Sequence, residues 1–202
     1  DLAHLFEAEG FKVGVEVGSQ RAWFADEILS GWPSGDMLFL VDPWEEQHNY
    51  FDGANVATQN LYLESAMRRV GPTNRTYFVQ DYSVHAALMF PDGVLDFAYV
   101  DARHNYASVL EDLETWWPKI RPGGILAGHD FLTAGEVSAV PGQVFVEVDG
   151  LNFAGWSVQP DGSVNTDGKA VKQAVLEFAA RVGRQVSVQR SADPYPSWMM
   201  RR

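Results

Sequence analysis

The sequence predicts an α/β fold, a doubly wound and mostly parallel sheet with helices on both faces. Three observations predict it. Strand-like apolar runs alternate with runs of helical period along most of the chain. The strand runs are apolar at nearly every position, as in strands covered on both faces. Each of the first five ends in a polar cluster carrying a carboxylate, where a sheet of this kind gathers ligand contacts. The 202 residues suit one domain with a sizeable core, and residues 1–202 are read as that single domain.

Taken in order, residues 12–17 form a Val-rich strand that stops at Gly18-Ser19. Trp23, Phe24, Ile28 and Leu29 follow at helical spacing, and Gly31 and Pro33 end that helix. Residues 37–41 are the second strand, closed by Asp42-Pro43. A helix is expected over 58–70, stopped by Gly71-Pro72, and a third strand over 76–80. Ser83 is expected to cap a short helix over 84–90. After the turn Pro91-Asp92-Gly93 comes the strand 95–100.

Tyr106, Val109, Leu110, Leu113 and Trp117 lie on one helix face. Pro122-Gly123-Gly124 breaks the chain before a fifth strand, 125–127, which runs into Gly128-His129-Asp130. The rhythm then changes. Residues 132–167 are read as an insertion, a β-hairpin or lid with strands over 144–148 and 156–159. Val171, Val175, Phe178, Ala179 and Val182 make the next helix face, and residues 186–189 and 198–200 form a terminal strand pair. Five strands and this pair make seven.

Composition narrows the function. A net charge of −12 and a pI near 4.7 argue against phosphate backbones and anionic membrane as partners. Without cysteine there is no disulfide, thiolate catalysis or Cys-ligated zinc. No apolar run approaches the ~20 residues of a membrane span. The expectation is therefore a cytoplasmic protein acting on a small molecule, with no nucleic acid and no membrane involved. Because the sequence opens at Asp1, a targeting segment upstream stays open.

The residues at the strand ends are the candidates for chemistry: Glu16, Gly18 and Ser19, then Asp42, then Asp81 to Ser83, Asp101 to His104, and His129-Asp130. Singly, each has a bland reading as a turn or cap residue; together they outline a ligand site. Asp101 and Asp130 close strands expected to be adjacent, with His104 and His129 beside them. Two carboxylates and an imidazole make an oxygen/nitrogen site suited to Mg²⁺, Mn²⁺ or a similar divalent cation, taken here as Asp101, Asp130 and His129. The histidines also suit general-base work near neutral pH.

Val15-Glu16-Val17-Gly18-Ser19, Asp42-Pro43-Trp44 and the strand 95–101 resemble the first, second and fourth motifs of class I S-adenosylmethionine (SAM)-dependent methyltransferases. The runs Val100-Asp101-Ala102-Arg103-His104-Asn105-Tyr106 and Gly128-His129-Asp130-Phe131 are similar to the methyltransferase 24 branch, related to metal-dependent O-methyltransferases of sugars and small hydroxylated molecules. The resemblance implies a Rossmann-like, seven-stranded sheet with an antiparallel C-terminal strand. It also implies roles. Glu16 would hold the methionyl ammonium, while Gly18 and Ser19 admit the cofactor to the backbone. Asp42 would accept from both ribose hydroxyls, with Trp44 near the adenine and Asp81 and Ser83 at its edge. Asp101 would stand by the methionyl end and the acceptor, with His104 or His129 as base. Small relatives often pair, which implies a homodimer.

The first loop departs from the family pattern, since Gln20 and Ala22 follow Gly18 where further glycines are usual. No G-x-G-x-x-G occurs either, which makes a dinucleotide dehydrogenase the poorer reading. Two alternatives stay open beside O-methylation: a metal-independent N-methyltransferase, and a SAM-binding module without catalysis.

Overall fold

The structure is a computed structural model that describes residues 1–50, 54–190 and 194–202. Five strands of its main sheet are parallel neighbours: β1 (Val13–Val17), β2 (Met37–Val41), β3 (Thr76–Val79), β4 (Leu95–Val100) and β5 (Ile120–Gly128). A separate antiparallel hairpin follows, β6 (Phe145–Val148) and β7 (Leu151–Ala154). The chain closes with β8 (Ser187–Gln189) and β9 (Ser197–Arg201), and β9 runs antiparallel between β5 and β8. The seven strands of the main sheet therefore lie in the order β3-β2-β1-β4-β5-β9-β8. Strand order reverses between β1 and β4, so ligand contacts are expected beyond the carboxyl ends of these two strands.

Helices cover both faces. One carries α1 (Leu2–Ala8), α2 (Trp23–Gly31) and α3 (Val56–Val70), packed on Leu38, Leu40, Phe97 and Tyr99. Phe6 stacks on Phe97 with centroids 3.9 Å apart, and the Trp32 indole N–H donates to the Phe11 carbonyl at 2.8 Å. The Arg75 guanidinium donates to the carbonyls of Leu29, Trp32, Pro33 and Gly35, closing the C-terminal end of α2 with a cation where orphan carbonyls collect. The opposite face carries α4 (Ser83–Ala87), α5 (Tyr106–Trp116) and, after α6 (Ala134–Ser138), α7 (Val171–Arg181), over Val15, Ala98, Leu126 and Met200. Among the described residues no helix is long and apolar enough to cross a membrane.

Several elements differ from the sequence expectation. Helix α1 has no counterpart there; it is short, capped by Asp1 accepting from the His4 amide at 3.0 Å and anchored by buried Leu2, Ala3 and Phe6. Ser83 is the first residue of α4 rather than its cap, because its hydroxyl is engaged with Asp112 and Trp116. The helix ends at Ala87, short of Phe90. The insertion does hold a hairpin, but its strands are β6 and β7, not 144–148 and 156–159. Asp149 and Gly150 both take positive φ (52° and 77°), which makes the tight two-residue connection that twisted strands favour. Trp156 instead enters a 3-10 turn and is buried. The insertion also holds α6, started by a reciprocal cap between Thr133 and Glu136.

Candidate functional site

A cavity of about 410 Å³ opens beyond the carboxyl ends of β1 to β4, within the range of small-molecule sites. Gly18, Asp42, Asp81, Ser83, Asp101 and Asp112 are among its walls. The backbone is drawn tight at Gly18, whose amide donates to the Val41 carbonyl at 2.8 Å while the Asp101 amide donates to the Val17 carbonyl at 2.8 Å. Gly18 has φ +89°, and a Cβ there would lie 2.0 Å from the Asp101 carbonyl oxygen. Only glycine permits this approach of the β1 and β4 ends, so a ligand crossing the crevice meets bare backbone.

Glu16, two residues earlier on β1, is 3% exposed, and its Oε2 is buried with no hydrogen-bond partner. Burial, reinforced by the charges of Asp101 and Asp42, pushes its carboxyl up to about 8. A cation delivered here would supply the missing partner and favour ionisation. Ser19 is buried behind it and donates to the Glu16 carbonyl at 3.2 Å. Asp42 is held from two sides: Oδ2 accepts from the Gln20 amide at 2.9 Å and Oδ1 from the Trp44 amide at 2.8 Å. Burial raises its carboxyl and these two amides oppose the rise. Each oxygen keeps acceptor capacity, which suits a pair of vicinal hydroxyls.

Trp44 itself stands behind the wall. It is buried against Phe78 on the α1–α3 side and donates its indole N–H to the Gln20 carbonyl at 2.7 Å, fixing the loop that orients Asp42. Asp81 lines the cavity, accepts from the Tyr82 amide at 2.8 Å and lies 3.4 Å from His85 Nδ1. Ser83 also lines it, accepting from the Trp116 indole at 2.9 Å while donating to Asp112.

Beside the Asp101 end, Asp101, His104 and Asp130 offer ligand atoms that all lie within 4.8 Å of one another. His104 Nε2 is 3.0 Å from Asp130 Oδ2 and 3.4 Å from Asp101 Oδ1. Asp130 reaches this position with φ +61°. Burial alone would lower the His104 pKa, but the Asp130 charge and the hydrogen bonds to both carboxylates raise it well above its ordinary value. Asp130 moves down, His104 overriding its burial, whereas burial holds Asp101 up. The two carboxylates thus favour the protonated form of His104 between them. His129 stands at the edge of this group, Nδ1 3.6 Å from Asp130 Oδ2, so the compact three-residue cluster takes His104 where the sequence reading places His129.

Other residues shape the site, and of these Trp156, Ser108 and Asp112 lie outside the strand-end candidates. Arg103 donates to Gln47 at 3.0 Å and to the His48 carbonyl at 2.8 Å, and its guanidinium lies 5.1 Å from the Tyr50 ring, drawing the 47–50 segment along the cavity. Trp156 of the insertion packs its ring 4.7 Å from that of His104. Ser108 and Asp112 line the cavity from buried positions on α5. They lie on the helix's buried stripe, and a Ser and an Asp four residues apart there are the available signal.

Comparison with known proteins gives one family and one fold. The methyltransferase 24 family model, described as a methyltransferase domain, matches residues 11–131. The chain is 27% identical over 120 residues to the uncharacterized protein y4gI of Sinorhizobium fredii, a match that covers 57% of this chain but only 13% of that protein. Among solved structures it resembles the O-methyltransferase of Bacillus cereus in complex with SAH, with a TM-score of 0.62 at 12% identity, covering 100% of this chain and 79% of that one. It also resembles cofactor-bound Rv0187 from MTB, with a TM-score of 0.62 at 13% identity, covering 99% and 77%.

Proposed function

The chain belongs to the methyltransferase 24 family, and from that premise we propose that it binds SAM in the 410 Å³ cavity and methylates an oxygen of a small hydroxylated acceptor. The observation that carries the cofactor reading is the pairing of the Gly18 cradle with the unpartnered Oε2 of Glu16. One is a backbone surface that a side chain would block; the other is a buried acceptor in want of a cation. A zwitterionic methionyl tail laid across Gly18 satisfies the second while using the first.

SAM supplies a methyl carbon on a sulfonium, which is already a good leaving group, so the protein has chiefly to align the reactants. Asp42, Asp81 and Ser83 line the cavity, Asp42 to accept from the ribose hydroxyls and the other two at the adenine edge, while Glu16, buried on β1 beside it, would hold the ammonium through water. Asp101 would then face the methionyl end, with His104 and Asp130 clustered beside it within reach of an acceptor. As the acceptor oxygen bonds to carbon and the carbon–sulfur bond breaks, the hydroxyl proton passes to the protein.

Those three residues also have the donor chemistry for Mg²⁺ or a similar ion, two carboxylates and one imidazole within 4.8 Å. A divalent ion held there would supply Lewis acidity that lowers the pKa of the acceptor hydroxyl. His104 would hold such an ion as the neutral imidazole. His129 is then the remaining imidazole placed to accept the acceptor's proton, 3.6 Å from Asp130.

Calorimetric titration with SAM and S-adenosylhomocysteine (SAH), each with and without Mg²⁺, tests the reading. Micromolar binding is the expected result, and an Mg²⁺-dependent change directs the acceptor screen to vicinal diols and sugars. No binding of either ligand to folded protein removes the proposal.

A further inference from the structure

Asp112 has no part in the roles above, yet it is the most deeply buried carboxylate lining the cavity, 4% exposed on α5. Its setting is directional. The Trp116 indole donates to the Ser83 hydroxyl at 2.9 Å, and that hydroxyl in turn donates to Asp112 Oδ1. Oδ2 has no hydrogen-bond partner among the described residues, and it is not among the sealed polar atoms, unlike Glu16 Oε2. A buried carboxyl with one oxygen pinned and the other open to a ligand cavity is a recognition group in want of a donor.

The rest of the cavity says which donor. With Asp42 on the ribose and Asp101 at the methionyl end, the base lies toward the opposite wall, where Ser83, Val84, Ser108 and Asp112 gather. Resting on the SAM reading, we propose that Asp112, held by Ser83, accepts a hydrogen bond from the 6-amino group of the cofactor's purine and so selects adenine over a 6-oxo purine. Asp81 suits this role less well, since its side chain is 43% exposed and already engaged by the Tyr82 amide and His85. A hydrogen bond in the drier setting of Asp112 discriminates more sharply.

The protonation of Asp112 follows the same logic. Burial, opposed by the Ser83 hydrogen bond and helped by neighbouring Glu111, pushes its carboxyl up to about 7. The titratable groups that share the wall are Glu111 on its own helix and Asp81 and His85 from the α4 side. An amino donor at Oδ2 favours the ionised form, so binding adenine expels a proton near neutrality. A 6-oxo purine presents a carbonyl acceptor at position 6 instead, which favours the protonated carboxyl there.

The test compares SAH with its 6-oxo analogue, S-inosylhomocysteine, by calorimetry at pH 7. The unmutated protein is expected to prefer SAH by about tenfold or more. Asp112→Asn still accepts from Ser83 but turns an amide N–H₂ toward the cavity, so the preference should collapse or invert. A ratio within twofold of the unmutated value overturns the assignment. A second readout needs no variant: repeating both titrations in buffers of different ionisation enthalpy counts released protons. SAH should release more than S-inosylhomocysteine, Glu16 contributing equally to both; equal counts also overturn the assignment. Equal affinities for the two ligands in the unmutated protein would remove the role of Asp112 and leave SAM binding intact. No SAH binding at all would remove both readings.

Discussion

At the scale of single residues, two carboxylates at strand ends carry opposite duties. Asp42 is held by two backbone amides and is ready to accept from a diol. Asp42→Ala should weaken SAM binding by about 1.5–3 kcal/mol, the range for hydrogen bonds to a charged group, with the fold retained. Unchanged affinity in a folded variant would misplace the ribose. At Glu16 burial outweighs the hydrogen bonds from Ser19 and the Ala25 backbone, and the carboxyl holds its proton up to about 8. The unfolded chain releases that proton near ~4.3, so between these values the native state binds the extra proton. Its contribution to stability is therefore full below ~4.3 and falls as pH rises toward 8, by up to about 1.4 kcal/mol per pH unit. Glu16→Gln should flatten this decline, gaining stability over the unmutated protein at pH 8 but not at pH 4, as read by urea unfolding. Both residues are legible in the sequence because strand ends are legible. Asp112 is not, since an acid beside Glu111 in a helix reads as solvated surface until the helix is docked.

At the scale of elements, the insertion separates from the scaffold. The β6–β7 hairpin is largely exposed, while Trp156 after it packs on His104 and Pro160 reaches the cavity. Replacing residues 145–152 with a short Gly-Ser turn should reduce acceptor turnover and leave SAH affinity within about twofold, because loops on a rigid scaffold tune substrate choice. Equal loss of both would make the hairpin structural. Periodicity places two strands here but shifts the second, since Trp156 and Val158 mimic a strand and the Asp149-Gly150 turn carries only a two-residue signal. Helix α5 shows the converse. Its apolar spacing announces a helix, yet the buried stripe runs through Ser108, Val109, Asp112, Leu113 and Trp116, and its two polar residues belong to the cavity.

At the scale of the molecule, Glu16 and Asp112 each hold a proton near neutrality, up to about 8 and about 7; Asp112 lines the cavity, Glu16 is buried on β1 two residues before Gly18, and the proposed cofactor favours the ionised form of each. SAH should therefore raise the melting temperature more at pH 8 than at pH 6, since the ionised forms that the ligand prefers are already populated at the higher pH. A pH-independent shift, measured by scanning calorimetry at fixed SAH saturation, would dissociate these carboxylates from cofactor binding.

The sequence by itself determined the alternation of strands and helices, the carboxylates at five strand ends and the family those motifs resemble. These are local properties: periodicity and turn chemistry act over a few residues, and a strand end is marked by where apolar residues stop. Only the tertiary structure decided which of the polar groups face one another. That His104 stands between Asp101 and Asp130, that Gly18 lies against the Asp101 carbonyl, and that Ser83 turns Asp112 toward the cavity all depend on how separate elements meet. Such contacts are set by sheet order and helix docking, through burial and packing that no local pattern records.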